Sequence, residues 1–197
     1  MNLKNILIFI VYSTFISFDF ITYPARTQSN DNLIKENNSG LVNIKNLSNK
    51  ADQAKSLGLI DEEIKYREDL LLEAESILGE NSLFVIDIML ELSNLYLETL
   101  NFNKADYYSL KLLNNTKYKI GENQIRRARV YALRGNTLYS LNKLGEAIIY
   151  FEKAIHIYKI NEIEDKRLAL IMNNLGLSYS SRNEYAKAGN TFGRALD

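Results

Sequence analysis

Ala147, Phe151 and Ala154 return as Ala188, Phe192 and Ala195, each 41 residues further along the chain. A small–large–small triplet recurring at a fixed distance constrains this chain more than any other feature. Self-similarity at periods of about 20–50 residues marks an architecture of stacked repeats. Gly135 and Gly176, 12 residues before Ala147 and Ala188, keep the same register. The positions 42 and 84 residues before Gly135 hold Ser93 and Ala51, so a small residue heads each of four segments. Three residues beyond these anchors lie Ala54, Tyr96, Leu138 and Tyr179. Twelve beyond lie Glu63, Ala105, Ala147 and Ala188, and sixteen beyond lie Arg67, Ser109, Phe151 and Phe192. Nineteen beyond lie Leu70, Leu112, Ala154 and Ala195. An independent marker agrees: the tripeptide GEN at 79–81 recurs at 121–123, again 42 apart.

The physical cause of such a pattern is close approach of two helices. A glycine inside a helix costs about 1 kcal/mol relative to alanine and is kept where a backbone must come near. The expectation is that the anchor of a first helix meets the alanines of a second, with Tyr179 and Phe192 filling the space beside the contact. Neither helix buries its apolar face alone, so the pairs must stack. The segments read as helices over 41–57 and 60–78, 82–99 and 102–119, 124–141 and 144–160, and 165–181 and 184–197. Gly58, Asn101–Asn103, Asn142–Lys143 and Arg182–Asn183 supply the turns between partners, a role that suits Gly and Asn. The only proline, Pro24, lies ahead of all of them. No alternating run rich in Val, Ile and Thr appears, so strands are not expected.

These residues resemble the tetratricopeptide repeat family, which pairs a small residue and a tyrosine in a first helix with Ala, Phe and Ala in a second. LGLSY at 175–179 with Ala188, Phe192 and Ala195 carries the likeness, as do Gly135, Leu138, Ala147, Phe151 and Ala154. The usual period is about 34 residues; the longer spacing here, with LGEN and IGEN closing the second helix, is similar to the subclass found in kinesin light chains. Similar long repeats occur in bacterial sensor and scaffold proteins. The resemblance implies an all-α, right-handed α-solenoid of about four stacked helix-turn-helix pairs, with repeats near 44–85, 86–127, 128–168 and 169–197. Glu63 and Arg67 depart from the Ala and Phe positions, so the first pair is expected to pack loosely or at a different tilt.

In this family the first helices line a concave groove that takes an extended peptide or a partner helix. Carried over by position, the resemblance implies a groove at Leu90, Asn94, Leu97, Glu98, Arg129, Ala132, Asn136, Tyr139, Asn173 and Leu177. Ser140, Ser180 and Ser181 fall in the same row. Asn94 and Asn136 suit a peptide backbone, because a side-chain amide offers both donor and acceptor. The lysines that clamp a terminal carboxylate in chaperone-binding members are missing from these positions. The last segment ends within its second helix without the polar cap that solenoids normally carry. That face is expected to bind a partner, to mediate self-association, or to continue into a further domain.

Residues 1–25 contain Lys4 followed by an apolar run from Ile6 to Phe18. A short positive start and an apolar stretch of roughly 7–15 residues form the pattern of a secretory signal. Residues 5–23 also approach the roughly 17–25 residues that span a bilayer, which leaves an uncleaved anchor open, with Lys4 on the cytoplasmic side. The third reading is a buried helix of the domain. The first two place the protein in an exported location, periplasmic or extracellular, or tethered to the membrane by this segment. Residues 26–40, polar and Asn-rich up to Gly40, read as a flexible linker.

Little in the sequence points to chemistry. Cysteine is absent, which excludes disulfides and thiolate catalysis, and His156 is the single histidine. It reads as a surface residue, and no metal site or cofactor is expected. Acidic groups such as Asp61–Glu63, Glu73 with Glu75, and Glu162, Glu164 with Asp165 fall at turns and on helix faces, where charge is solvated. Lys plus Arg equals Asp plus Glu at 24 each, so the broad basic field of a nucleic-acid binder is missing. The one basic cluster, Arg126, Arg127, Arg129 and Arg134, reads either as a patch for phosphate or an acidic peptide, or as arginines paired with acids across a repeat boundary. Most tyrosines, among them Tyr107, Tyr108, Tyr131 and Tyr150, are expected in packing, with Tyr139 turned to the inner side. The function expected is therefore a non-enzymatic scaffold with a protein or peptide partner. The alternatives are a regulatory segment of a larger effector, such as one fused to a caspase-like protease, or an assembly module acting through its last repeat.

Overall fold

The computed structural model describes residues 28–119, 124–161 and 166–196. Among them lie eight helices and no strand: α1 (Gln28–Ser56), α2 (Ile60–Leu78), α3 (Leu83–Glu98), α4 (Phe102–Lys119), α5 (Gln124–Ser140), α6 (Leu144–Ile160), α7 (Lys166–Ser181) and α8 (Tyr185–Leu196). The fold is all-α and built of helix-turn-helix pairs. The chain divides into two compact units, one ending at Val85 and the other beginning at Ile86.

In the first unit α1 packs against α2. Helix α1 begins at Gln28, so residues 28–40, expected to be a linker, are helical. A Cβ on Gly40 would collide with the Ile77 side chain of α2, so the two helices approach closely at that point. Ala51 and Ala54 of α1 are buried, with Leu70, Leu71 and Ala74 of α2. Glu63 and Arg67 stand where alanine and phenylalanine recur elsewhere, and both are buried. The Arg67 Nε donates to Glu63 Oε1 at 2.8 Å, and Arg67 Nη2 reaches Asp52 Oδ1 of α1 at 3.4 Å. The first pair is thus not loosely packed. An ion pair fills the crossing that an aromatic ring fills in the last two pairs.

In the second unit each helix from α4 onward packs on the next, and α5 also meets α7. Phe151 is wholly buried, among Leu138, Ala147, Ala154, Tyr158, Met172 and Leu175. At the anchors the phenylalanine ring lies nearest the glycine: a Cβ on Gly135 would lie 2.6 Å from the Phe151 ring, and one on Gly176 2.5 Å from the Phe192 ring. At the corresponding crossing of α3 and α4, Ser93 Oγ donates to the Ala105 carbonyl at 3.1 Å. Ser109 takes the aromatic position there, and Arg134 Nη1 of α5 donates to its hydroxyl at 3.0 Å.

One turn joins the partners of every pair. The N–H groups of Leu59, Asn101, Lys143 and Glu184 donate to the carbonyls of Ala54, Tyr96, Leu138 and Tyr179 at 2.8–2.9 Å. Those of Gly58, Leu100, Asn142 and Asn183 donate to Lys55, Leu97, Tyr139 and Ser180 at 2.9–3.2 Å. These are the two bonds of the Schellman motif, which needs a left-handed residue after the helix. Gly58 (φ 70°), Leu100 (φ 59°), Asn142 (φ 57°) and Asn183 (φ 63°) provide it. Glycine and asparagine adopt this conformation readily, whereas leucine does so against steric resistance. In the second pair the left-handed residue is Leu100 and not one of Asn101–Asn103.

Candidate functional site

Helices α3, α5 and α7 are the first members of their pairs within the second unit, and their facing turns enclose an open hollow of about 300 Å³. It is lined by Leu97 and Glu98 from the last turn of α3, Asn136, Tyr139 and Ser140 from the end of α5, and Asn174 and Leu177 from α7. Five of the ten expected groove residues, Leu97, Glu98, Asn136, Tyr139 and Leu177, therefore come together. They converge because the Schellman turns end α3 and α5 at equivalent points, which brings positions one, four and five beyond the anchors onto one face.

The polar part of the hollow is built across helices. Asn174 Nδ2 donates to Asn136 Oδ1 at 2.8 Å, which orients both amides and leaves Asn136 Nδ2 and Asn174 Oδ1 with no hydrogen bond among the described residues. Tyr139 packs against the core with its ring, while its hydroxyl lies 3.4 Å from Ser181 Oγ. Leu177 remains 40% exposed, an apolar side chain held at the edge by α7. Glu98 is exposed. Its carboxylate has no ion-pair partner among the described residues.

The other five expected positions lie elsewhere. Leu90 is buried and does not face a groove. It belongs to the wide apolar stripe of α3, where Ile86, Ile88, Met89 and Leu92 are also buried, while Asp87, Glu91, Asn94 and Glu98 form the polar row of the same helix. Asn94 and Asn173 are exposed outside the lining, and Ala132 packs against the core. Arg129 Nη1 lies 3.7 Å from Asp87 Oδ1, away from the hollow. Asn174 was not anticipated. It is the equivalent of buried Leu133, and its polarity at a position that is apolar one repeat earlier is the signal that marks it.

Three of the four clustered arginines are paired within the fold. Arg126 grips Asp87 of α3 with two bonds of 3.0 and 2.7 Å. Arg134 is buried and pairs with Asp106 of α4. Arg126, Arg129 and Arg134 thus tie α5 to the preceding pair, while Arg127 has no ion-pair partner among the described residues. His156 is exposed on α6. Tyr96 and Tyr108 stack at 5.8 Å and Tyr131 meets Tyr150 at 6.0 Å, while Tyr107 is largely exposed and so departs from the packing role. Tyr179 Oη donates to Glu152 Oε1 at 2.8 Å between α7 and α6. Its phenol is pushed up to about 12 by burial, by that hydrogen bond and by the Glu152 charge. Glu184 is held below the usual carboxylate range by its bond from Lys187 and by the Arg182 charge. No cluster of three or more His, Asp or Glu side chains among the described residues is placed to hold a metal ion.

These observations define a helical-repeat protein with a shallow, mixed polar and apolar groove. Residues 128–161 match the model of the tetratricopeptide repeat family, the stretch that forms α5, its turn and α6. BtubC (BKLC) from P. vanneervenii has a similar fold, with a TM-score of 0.67 and 24% sequence identity over 74% of this chain. The chain spans 59% of the length of that structure. No protein of curated function matches it in sequence. The tetratricopeptide-like fold read from the repeat is thus shown, and the long period is consistent with it. Such a fold is in general a scaffold for contacts between proteins and is typically non-enzymatic.

Proposed function

We propose that this chain binds an extended segment of a partner protein across α3, α5 and α7, in the hollow around Asn136 and Tyr139. One observation carries the reading: apolar Leu97, Tyr139 and Leu177 converge there with a coupled pair of side-chain amides whose remaining donor and acceptor are unused. Apolar side chains supply affinity, and a few placed polar groups orient the ligand. An amide with a free donor and a free acceptor matches what a peptide bond offers. The double variant Asn136→Ala with Tyr139→Ala is expected to lose capture of the partner while its circular dichroism spectrum stays unchanged. Equal recovery of the partner by variant and parent would remove the groove from the reading.

We infer further that the protein works outside the cytoplasm or tethered to its membrane. The apolar run from Ile6 to Phe18 after Lys4 supports this; residues 1–25 lie outside the described residues. No helix among the described residues is long and apolar enough to cross a membrane. Cell fractionation decides the matter, and recovery of the full-length chain in the cytoplasmic fraction would refute it.

A further inference from the structure

The hollow has a sign. Of its seven lining residues only Glu98 is charged, and its carboxylate has no ion-pair partner among the described residues. Leu97 and Glu98 end α3, and Tyr139 and Ser140 end α5. Two helix C-termini, each the negative end of its macrodipole, therefore border the same space and favour a cation there. The neighbouring cations are otherwise engaged or absent from the lining. Arg129 faces Asp87, Arg182 Nε bonds Glu184 at 2.9 Å, and Lys104 Nζ sits on the Tyr96 hydroxyl at 3.0 Å. Lys143 is not part of the lining. With a net charge of zero, the molecule imposes no overall field to oppose this local one.

Resting on the groove reading above, we propose that the segment bound is cationic: a lysine or arginine meets Glu98, and an adjacent apolar side chain enters between Leu97, Tyr139 and Leu177. The exposed carboxylate sets which sequences are accepted, and the apolar contact supplies most of the affinity. The partner is a protein with an accessible extended stretch in which a basic residue stands within two positions of a large apolar one.

The test is selection of a random-peptide library displayed on phage against the full chain, followed by titration of a synthetic copy of the recovered peptide. Recovered sequences are expected to place Lys or Arg beside Leu, Ile, Phe or Met. Binding of the synthetic peptide is expected to weaken about two- to fivefold in Glu98→Gln, the range of an exposed ion pair, and to weaken with added salt. Glu98→Lys is expected to select acidic peptides instead. Peptides that lack a basic residue, bind Glu98→Lys as well as the parent and are lost in the Asn136→Ala and Tyr139→Ala variant would overturn this inference and leave the groove standing. Peptides indifferent to that double variant, or no recovered peptides at all, would overturn both.

Discussion

The pair α1–α2 and the pair α5–α6 share a turn and a spacing, yet they fill the space between their helices in opposite ways. In the first, Ala51 faces a buried ion pair of Glu63 and Arg67. In the other, Gly135 receives the ring of Phe151. The backbone bonds of the turns are the same to within a few tenths of an ångström. The repeat is thus written in the turn and in the size of the anchor, whereas the filling is exchangeable. The filling still has consequences, because a ring gains by leaving water and a charge pair must recover a large desolvation cost.

The largest expected effect tests that exchange. Glu63→Ala removes the 2.8 Å partner of the buried Arg67 guanidinium and leaves Asp52 at 3.4 Å; it should cost up to about 3–5 kcal/mol in urea unfolding. Adding Arg67→Phe to it removes the buried charge, and Ala51→Gly gives the ring the room that Gly135 gives Phe151; this triple variant should recover most of that loss. A triple variant as unstable as the single one would mean the first pair has a geometry of its own. Next come the anchors. Gly135→Leu and Gly176→Leu overpack their crossings and should cost about 1–3 kcal/mol. Gly135 should be the more sensitive, because Phe151 is wholly buried and cannot move aside, while Phe192 is half-buried. Equal thermal midpoints for parent and both variants would contradict the close approach.

A third comparison sets Ala54 against Tyr179, equivalent positions in the first and last pairs. Tyr179 ionises at about 12 in the fold and near 10 when unfolded. The protonated phenol is favoured by folding, so its contribution is fully present below pH 10 and is lost as pH rises through about 12. By pH 11 the loss should be roughly 1 kcal/mol, and Tyr179→Phe should flatten that part of the stability profile. An unchanged alkaline slope would place the hydroxyl outside the Glu152 bond. The smallest effect lies in the turn. Leu100→Gly relieves a left-handed leucine and should stabilise by about 0.5–1 kcal/mol, whereas Gly58→Leu should destabilise by a similar amount. A loss of stability in Leu100→Gly would show the turn is held by the Leu100 side chain.

Much of this was legible in sequence because packing and turns repeat. The period located every helix pair, and the second helices α2, α4 and α6 begin and end where the pattern put them. What repetition did not carry was read less well. The stretch before Leu41 is polar and Asn-rich, yet α1 runs through it from Gln28, and at Gly40 it passes close to Ile77 of α2. The arginines looked available because their partners, Asp87 and Asp106, lie on neighbouring helices 39 and 28 residues away. Around the hollow, a positional rule carried over from one repeat to the next brought five residues together but misplaced Leu90, which belongs to the wide apolar stripe that α3 buries. The same rule passed over Asn174, because its amide acts through Asn136 across a helix boundary.

The central claim is that the face carried by α3, α5 and α7 is the binding face. Amide chemical-shift mapping of the full chain during titration with a library-selected peptide tests it most directly. The largest shifts are predicted at Leu97, Glu98, Asn136, Ser140, Asn174 and Leu177. Shifts confined to Tyr107, Ile149 and Tyr150 on the second helices, with those six amides unmoved, would contradict it.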